Sequence, residues 1–302
     1  MKIKGRNVKM IKKIILETIL IIITVLVVIC GYYLIIDIES KSPGETEDIS
    51  IVTKEFMSRK VFELSPKSEE RSNKVILYFH GGAYVAEATN EHWEFLKKLV
   101  RDTKATIVMP DYPLTPKYTY KDVLNMVEPV YKDVLSKVDS KNLIMMGDSA
   151  GGGIALGLAE KLSLNNVELP SKIILISPWL DTKMSNEKID EVQKNDKKLS
   201  KDKLVLAGIS YGRGLEEKDD YFVNPINGNI SKLNNLIIYT GKDDILNPDC
   251  HKLKAKANYS GTDIKIKEYE GAEHIWIIDK AEEEVSKKAY NDLLEDIMNQ
   301  GE

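Results

Sequence analysis

Short apolar runs alternate with longer helix-compatible segments along most of the chain. There are six such runs. The first five are apolar on both faces, as expected of strands covered by helices on both sides, and the sixth alternates between apolar and polar residues, as expected of an edge strand. This alternation predicts an α/β fold: a mostly parallel sheet with right-handed crossovers and helices on both faces. Helix candidates include Trp93–Arg101 and Tyr120–Val138. The six runs are Lys74–Phe79, Ala105–Met109, Leu143–Met146, Lys172–Ile176, Leu236–Tyr239 and Ile264–Tyr269.

An apolar run of a different kind lies near the N-terminus. Ile14–Ile36 holds a single charged residue, Glu17, and six basic residues without an acid precede it. A helix of this length spans a hydrocarbon core of about 30 Å. A cleaved signal peptide usually has a shorter apolar region and a small-x-small cleavage site, which is not visible near Cys30. The pattern therefore predicts a basic tail (residues 1–13) followed by one transmembrane signal anchor (residues 14–36).

The remaining chain divides into a linker and one large domain. Residues 37–48 are polar and contain Pro43 and Gly44, which is typical of a linker, and residues 49–302 form the folded domain. Because Lys and Arg favour the cytoplasmic side, the basic tail should stay inside. We therefore expect a single-pass cell-membrane protein whose large domain faces the extracytoplasmic side.

Charge and cysteine content exclude some classes of partner. Of the 43 Lys and Arg and 47 Asp and Glu residues, residues 1–36 take six and one, so the rest of the chain carries a net charge of −9. Such an acidic domain offers no basic stripe for a nucleic acid. Cys30 lies in the predicted membrane segment and Cys250 in the folded domain, so no intramolecular disulfide is expected. Four histidines and two cysteines suggest no structural zinc site. The oligomeric state is left open.

The segment Lys183–Lys203 departs from the alternating pattern. It is dense in charge and poor in large apolar residues. One interpretation is a solvated excursion between two strands. The other is part of a lid, because an excursion after a strand leaves from the end of the sheet where ligands bind. Both interpretations remain open from the residues alone.

The candidate nucleophile is Ser149, in the motif Gly147–Gly151 (GDSAG). The motif lies between the apolar run Leu143–Met146 and the helix-compatible segment Ile154–Leu164, which is the context of a nucleophile elbow. A serine in so tight a turn needs small neighbours, and the helix behind it presents free N–H groups to a developing oxyanion. The alternative is a glycine-rich helix start with an incidental serine.

A serine nucleophile needs a base and an acid, which follow it along the chain in this architecture. Of the four histidines, only His251 and His274 follow Ser149. His251 lies in a helix-compatible segment and is expected to be a surface residue, whereas His274 lies in a loop after the last strand, so His274 is the candidate base. The acid should lie in the loop Thr240–Asp249; Asp249 resembles a helix cap, and the residues alone do not separate Asp243 from Asp244.

A second source of N–H groups for an oxyanion should follow an early strand. His80–Tyr84 (HGGAY) ends the first of the six runs, and its glycines allow the main chain to approach a ligand closely. Ala150 would supply the N–H after the nucleophile. His80 is expected to anchor the loop and not to act as a second base.

These motifs together resemble the hormone-sensitive-lipase-like esterase group of α/β-hydrolases, closest to bacterial acetyl esterases and carboxylesterases. The matching motifs, in the family's order, are HGGAY, DYPLTP (Asp111–Pro116), GDSAGG, SPWLD (Ser177–Asp181), GKDDILNPD and GAEH. The resemblance implies that Asp244 is the acid, that Gly81, Gly82 and Ala150 form the oxyanion hole, and that residues 183–213 contribute to a small lid. Ala83 stands where many members have a third glycine.

The expected function is therefore hydrolysis of carboxylic esters through Ser149, Asp244 and His274 and an acyl-enzyme, without a metal or organic cofactor. The substrate would be a small-molecule ester with a short acyl chain, since the segment Lys183–Lys203 offers only Met184, Ile189, Val192 and Leu199 as large apolar residues. Two alternatives remain: an acyltransferase with the same residues, and a catalytically silent binding protein on a hydrolase scaffold.

Overall fold

The computed structural model describes residue 12 and residues 14–25, 39–233 and 235–299. The chain forms two compact units, Met1–Asp37 and Ile38–Glu302. Residues 14–25 are helical, and residues 26–36 of the predicted membrane anchor lie outside the described residues. Among the residues that the structure describes, no helix combines the length and apolarity needed to cross a membrane. The anchor stays a prediction.

An eight-stranded sheet forms the centre of the second unit, in the order β1-β2-β4-β3-β5-β6-β7-β8. The six strands from β3 to β8 are mutually parallel and correspond to the six predicted runs, with β8 at one edge as expected. The mostly parallel sheet is therefore confirmed. The strands are β1 (Ile49–Phe56), β2 (Arg59–Pro66), β3 (Val75–Phe79), β4 (Thr106–Pro110), β5 (Leu143–Asp148), β6 (Lys172–Ile176), β7 (Leu236–Gly241) and β8 (Ile264–Tyr269).

The first two strands were not among the predicted runs. β1 and β2 form an antiparallel hairpin, and β2 pairs antiparallel with β4, so the other edge of the sheet differs from the parallel part. The turn between them places Met57 and Ser58 at φ of 51° and 61°. A two-residue hairpin turn of this type requires positive φ at both positions but usually uses Gly, Asn or Asp, so the sequence carried no hairpin signal.

Helices cover both faces of the sheet and bury a separate apolar core on each. One core packs α2, α3 and α7 against residues such as Leu77 and Met145, and the other packs α1, α8 and α9 against residues such as Ile76 and Met146. Neighbouring residues of one strand thus enter opposite cores, as expected for a buried parallel strand. The helices of this unit are α1 (Asn90–Thr103), α2 (Tyr120–Leu135), α3 (Ser149–Leu164), α4 (Ile189–Val192), α5 (Lys201–Tyr211), α6 (Asp220–Val223), α7 (Asn247–Ser260), α8 (Trp276–Asp279) and α9 (Glu284–Met298).

The segment 183–213 lies between β6 and β7 and contains α4 and α5. Its few large apolar residues point mostly inward: Met184, Ile189, Leu204 and Tyr211 are buried in the core of the α3 side. Leu206 and Ile209 on α5 are about two-thirds exposed, at 67% and 66%. The segment is therefore neither a fully solvated excursion nor an apolar cover.

Candidate active site

Ser149 stands at a sharp turn between β5 and α3, and its φ is +51°. Such a conformation is costly for a residue with a side chain, so the surroundings must hold it in place. Here the chain passes so closely that side chains are excluded: a Cβ on Gly151 would lie 2.0 Å from the Phe79 oxygen, and one on Gly147 would lie 2.4 Å from the Gly151 oxygen. The two glycines of the motif are thus required by packing, and the turn has the geometry of the predicted elbow.

The structure brings Ser149, His274 and Asp244 together in a line of hydrogen bonds. Ser149 Oγ lies 3.0 Å from His274 Nε2, and His274 Nδ1 lies 2.9 Å from Asp244 Oδ2. All three residues are nearly inaccessible, with Ser149 and His274 exposing 6% and 5% of their surface. With the proton on Nδ1 donated to Asp244, Nε2 is free to accept the Ser149 hydroxyl proton. These atoms can pass a proton from serine to imidazole.

Asp244 and His274 follow β7 and β8, whose carboxyl ends lie at the same edge of the sheet as the elbow. The backbone N–H of Leu246 donates to Asp244 Oδ1 at 2.9 Å, which orients the carboxylate. Directly after His274, Ile275 has a φ of +46° and donates its N–H to Ser177 Oγ at 3.1 Å. Both loops are therefore fixed by local hydrogen bonds as well as by the sheet.

The two other carboxylates of the acid loop lie elsewhere. Asp243 donates its N–H to the Ala272 oxygen, and its side chain has no hydrogen bond to His274. Asp249 was expected to cap the next helix, but the cap position is Leu246, and Asp249 lies within the first turn of α7. That expectation was wrong because Asn247 and Pro248 already belong to the helix. Asp249 is fully buried, accepts a hydrogen bond from Asn186 Nδ2 at 2.9 Å, and burial raises its pKa to about 6.

The electrostatic surroundings of His274 favour its protonated form. Burial alone would lower the pKa of His274, but the Asp244 carboxylate reverses this, and the pKa lies above the ordinary value of 6.5. Asp148 and Asp196 act in the same direction. An imidazole in this setting holds a proton taken from serine well, which suits a general base.

The loop after β3 lies against the elbow, because β3 and β5 are adjacent parallel strands. A Cβ on Gly81 would lie 3.1 Å from the Ser149 Cβ, so the loop touches the nucleophile. Gly82 has a φ of +115°, which favours glycine, and its N–H has no hydrogen-bond acceptor among the described residues. Ala150, at the second position of α3, carries one of the N–H groups that a helix start leaves free.

Gly81 differs from the other two expected oxyanion donors. Its N–H donates to Asp148 Oδ1 at 2.9 Å, and a Cβ at this position would lie 2.2 Å from Asp148 Oδ2. The expectation that Gly81 offers a free N–H is therefore wrong in this structure, since a buried carboxylate already accepts it. Gly81 instead fixes the loop to the elbow.

Asp148 is the centre of a buried polar network that the sequence did not reveal. Besides Gly81, it accepts a hydrogen bond from Tyr78 Oη at 2.6 Å and contacts His92 Nε2 at 3.2 Å. Burial would raise the pKa of Asp148, but His92 holds it below the ordinary value. The N–H of Thr89 donates to His92 Nδ1 at 3.1 Å, which leaves the Nε2 proton for Asp148. No spacing signal links His92 to Asp148, so only the fold shows their contact.

The other histidines have structural surroundings, as expected. His80 is fully buried, stacks on Tyr112 at 4.4 Å and donates from Nδ1 to the Gly81 oxygen at 2.6 Å. Burial lowers the pKa of His80 to about 4, so it stays neutral and anchors the loop. His251 lies on the exposed side of α7 and contacts Glu268.

The segment 183–213 contacts the loop after β3. Tyr211 of α5 stacks on Tyr84 of the loop after β3 with ring centroids 3.6 Å apart, and Tyr84 also stacks on Trp179. The stack joins the segment 183–213 to the loop that lies against Ser149. Within the part of the chain that the structure describes, no group of three or more His, Cys, Asp or Glu residues is placed to hold a metal ion.

Comparison with known proteins agrees with this geometry. The chain is 28% identical over 206 residues to an esterase from Acinetobacter venetianus, which covers 68% of each protein. A second relative, an acetyl-hydrolase from Streptomyces hygroscopicus, is 22% identical over 78% of this chain and 75% of its own length. A Staphylococcus aureus structure described as that of a candidate esterase superposes with a TM-score of 0.80 and 28% identity, over 87% of this chain and 88% of the other.

A further solved structure shares the fold, and a family model identifies the family. An esterase of the bacterial hormone-sensitive lipase family has the same fold, with a TM-score of 0.78, 21% identity and coverage of 85% and 86% of the two chains. The family model for the alpha/beta hydrolase fold matches residues 76–278, which contain the elbow and both loops that follow β7 and β8. The resemblance expected from the motifs is confirmed, and the chain belongs to the α/β-hydrolase fold family.

Proposed function

We propose that this protein is a serine carboxylic-ester hydrolase. The observation that carries the proposal is the line of contacts from Ser149 Oγ to His274 Nε2 (3.0 Å) and from His274 Nδ1 to Asp244 Oδ2 (2.9 Å), on a strained elbow. Relatives named esterase and acetyl-hydrolase support the same reaction class.

In the proposed reaction, Ser149 Oγ attacks the ester carbonyl while His274 Nε2 takes the hydroxyl proton. Asp244 keeps the other imidazole proton on Nδ1 and stabilises the imidazolium that forms. The N–H groups of Gly82 and Ala150 stabilise the tetrahedral oxyanion, and Asp148 holds the loop of Gly82 in place through Gly81. His274 returns its proton to the leaving alcohol, and water then cleaves the acyl-enzyme by the same route.

The proposed substrates are esters of short acyl chains. Within residues 183–203, Met184 and Ile189 are buried in the core, and Val192 and Leu199 are half-buried and packed against it, so this stretch offers a substrate little apolar surface. Each CH₂ that a pocket buries is worth roughly 0.8 kcal/mol, about a fourfold gain in kcat/KM, so a long apolar pocket would reward each added carbon. With few apolar groups available, we expect no such gain beyond butyryl.

A series of aryl esters from acetyl to dodecanoyl, assayed with and without an alcohol acceptor, tests the proposal. We expect hydrolysis that is fastest from acetyl to butyryl, with free acid as the product. Activity that climbs steadily past about eight carbons would indicate a lipase. Ester product formed in preference to acid would indicate an acyltransferase, and an absence of turnover on every ester would leave only a binding role.

We also propose that residues 14–36 anchor the protein in the cell membrane, with the catalytic domain on the extracytoplasmic side. The apolar run, the basic tail before it and the exposed apolar side chains of the helical residues 14–25 support this topology. A cysteine introduced at Glu47 should react with an impermeant thiol reagent on intact cells. Labelling that occurs only after lysis would place the domain in the cytoplasm.

A further inference from the structure

The two loops that carry Asp244 and His274 are both contacted by one turn of the segment 183–213. Asp196 Oδ2 accepts the N–H of Ile245, the residue next to Asp244, at 2.9 Å. Lys198 Nζ donates to the backbone oxygen of His274 at 2.9 Å. A single turn, residues 196–199, thus touches the main chain beside the acid and the main chain of the base.

The turn itself is held in a defined shape. Asp196 Oδ1 accepts the N–H groups of Lys198 and Leu199, each at 2.8 Å, and the Asp196 side chain is almost fully buried. Gln193 donates from Nε2 to the Leu199 oxygen at 2.9 Å, and its Oε1 accepts the Lys201 N–H at 2.7 Å. One carboxylate therefore both shapes the turn and fastens it to the acid loop.

Lys198 makes a second contact on the side of the base. Its Nζ lies 2.9 Å from Asp279 Oδ2, in the short helix α8 that follows the His274 loop. The Lys198 side chain is about one-quarter exposed, so both contacts lie at the border of the protein interior. The lysine thereby joins the His274 backbone to α8 and ties both to the turn.

The sheet explains why these loops need such support. β8 lies three strands away from β5, which at a strand spacing of about 4.8 Å amounts to roughly 14 Å. His274 must therefore reach back across the ends of β7 and β6 to meet Ser149. A displacement of about 1 Å at a catalytic group can cost about 100-fold in rate, so the position of this loop matters.

We propose that Asp196 and Lys198 are positioning residues, which hold the Asp244 and His274 loops at the distances that the catalytic hydrogen bonds require. This inference rests on the proposed ester hydrolysis. Neither side chain touches the substrate or the reacting atoms; each acts through the backbone of a loop that carries a catalytic residue.

Asp196 and Lys198 carry opposite charges near the His274 imidazole. Their removal should therefore shift the pH profile in opposite directions, which loosened packing alone would not do. Removal of the Asp196 charge should lower the pKa of His274, and removal of the Lys198 charge should raise it. The acid limb of the pH profile of kcat/KM should then shift in opposite directions in the two variants. None of the other charged groups that face His274 and its loop changes in Asp196→Asn or Lys198→Met; they include Asp244, Asp148, Asp279, Glu273, Lys280 and Lys197.

The experiment compares Asp196→Asn and Lys198→Met with matched controls from the same segment, Asp190→Asn and Lys194→Met. Asp190 and Lys194 are exposed, and among the described residues neither contacts the loops of Asp244 and His274. On a short aryl ester we expect kcat to fall about 10- to 100-fold in the first pair, with KM within about twofold. The controls should match the wild type. Lys198→Arg, which keeps the charge and the donors, should retain most activity.

Several outcomes would overturn the proposal. If Asp196→Asn and Lys198→Met behave like their controls, or if only KM changes, the turn merely covers the site. If either variant loses its fold, judged by circular dichroism, Gln193→Met decides, because it removes the side-chain hydrogen bonds that shape the turn without touching either loop. A kcat of Gln193→Met that matches the wild type then contradicts the proposal. A wild-type protein without turnover on any ester contradicts the proposed function instead, and is recognised before any variant is compared.

Discussion

The two halves of the candidate site are built in different ways. The elbow half, with Ser149 and the loop of Gly81 and Gly82, lies on the adjacent strands β3 and β5 and is fixed by backbone packing so close that side chains are excluded. The acid–base half, with Asp244 and His274, lies on strands further along the sheet and is held by side-chain hydrogen bonds from Ser177, Asp196 and Lys198.

This difference shows how tolerance to substitution should be distributed. In the elbow half, glycines are required by contact, so a single added methyl group has no space. In the acid–base half, each loop is held by a few individual hydrogen bonds, typically worth about 0.5–1.5 kcal/mol each, or about 1.5–3 kcal/mol when one partner is charged. Substitutions there should reduce the rate in steps without removing the fold.

The largest effect should come from the two residues at which the halves meet. Ser149→Ala and His274→Ala should each lower kcat by at least about 10⁴-fold, because the members of such a triad act as a unit. Steady-state hydrolysis of a short aryl ester, together with thermal unfolding, checks this. Unfolding should change little in either variant. Substantial turnover by Ser149→Ala would mean that this hydroxyl is not the nucleophile.

The next effect separates the two neighbouring carboxylates of the acid–base half. Asp244→Asn should lower kcat by roughly 10⁴-fold, because the amide favours the wrong tautomer of His274. Asp243→Asn is the matched control and should stay close to the wild type, since the Asp243 side chain does not meet the imidazole. A larger loss in Asp243→Asn would assign the acid to the other residue.

A smaller effect is expected in the elbow half, at Asp148. Asp148→Asn keeps the shape of the side chain but removes the charge that accepts the hydrogen bonds of Gly81 and Tyr78. A buried hydrogen bond to a charged group is worth about 1.5–3 kcal/mol, so kcat should fall about 10- to 100-fold while KM changes little. Asp139→Asn, at an exposed position, serves as the control. A variant with full kcat and only lower stability would show that the network supports the fold alone.

The smallest effect is the pH dependence of the wild type. Because the pKa of His274 is raised and the base must be neutral, kcat/KM should increase with pH through a midpoint above 6.5. At low pH the imidazole is protonated and the rate is lost. A midpoint clearly below 6.5 would mean that burial outweighs the Asp244 carboxylate in the free enzyme.

Much of the fold and most of the site could be predicted from the sequence, for physical reasons that differ between the halves. Buried parallel strands such as Leu143–Asp148 leave continuous apolar runs, and the tight elbow requires glycines at fixed spacing. The hairpin of β1 and β2 left no such signal, because Met57 and Ser58 adopt positive φ without glycine or asparagine.

The contacts that hold the acid–base half could not be predicted. Asp196 meets Ile245 across 49 residues of sequence, and Lys198 meets His274 across 76. In a segment with many charged residues, nothing in the local pattern distinguishes these two from Asp190 and Lys197. The commitment of the Gly81 N–H to Asp148 was missed for the same reason, since the motif places a carboxylate there without showing where it points.

The turn at residues 196–199 has a consequence for protein engineering. Segments that cover an active site are often exchanged between relatives to alter substrate range, on the assumption that they are independent modules. Here, exchange of the segment between β6 and β7 would also remove the side chains that bind the backbone of Ile245 and His274. A chimaera that replaces residues 183–213 should therefore keep Asp196 and Lys198 in register with the host loops, so that a new substrate range is not obtained at the expense of the catalytic geometry.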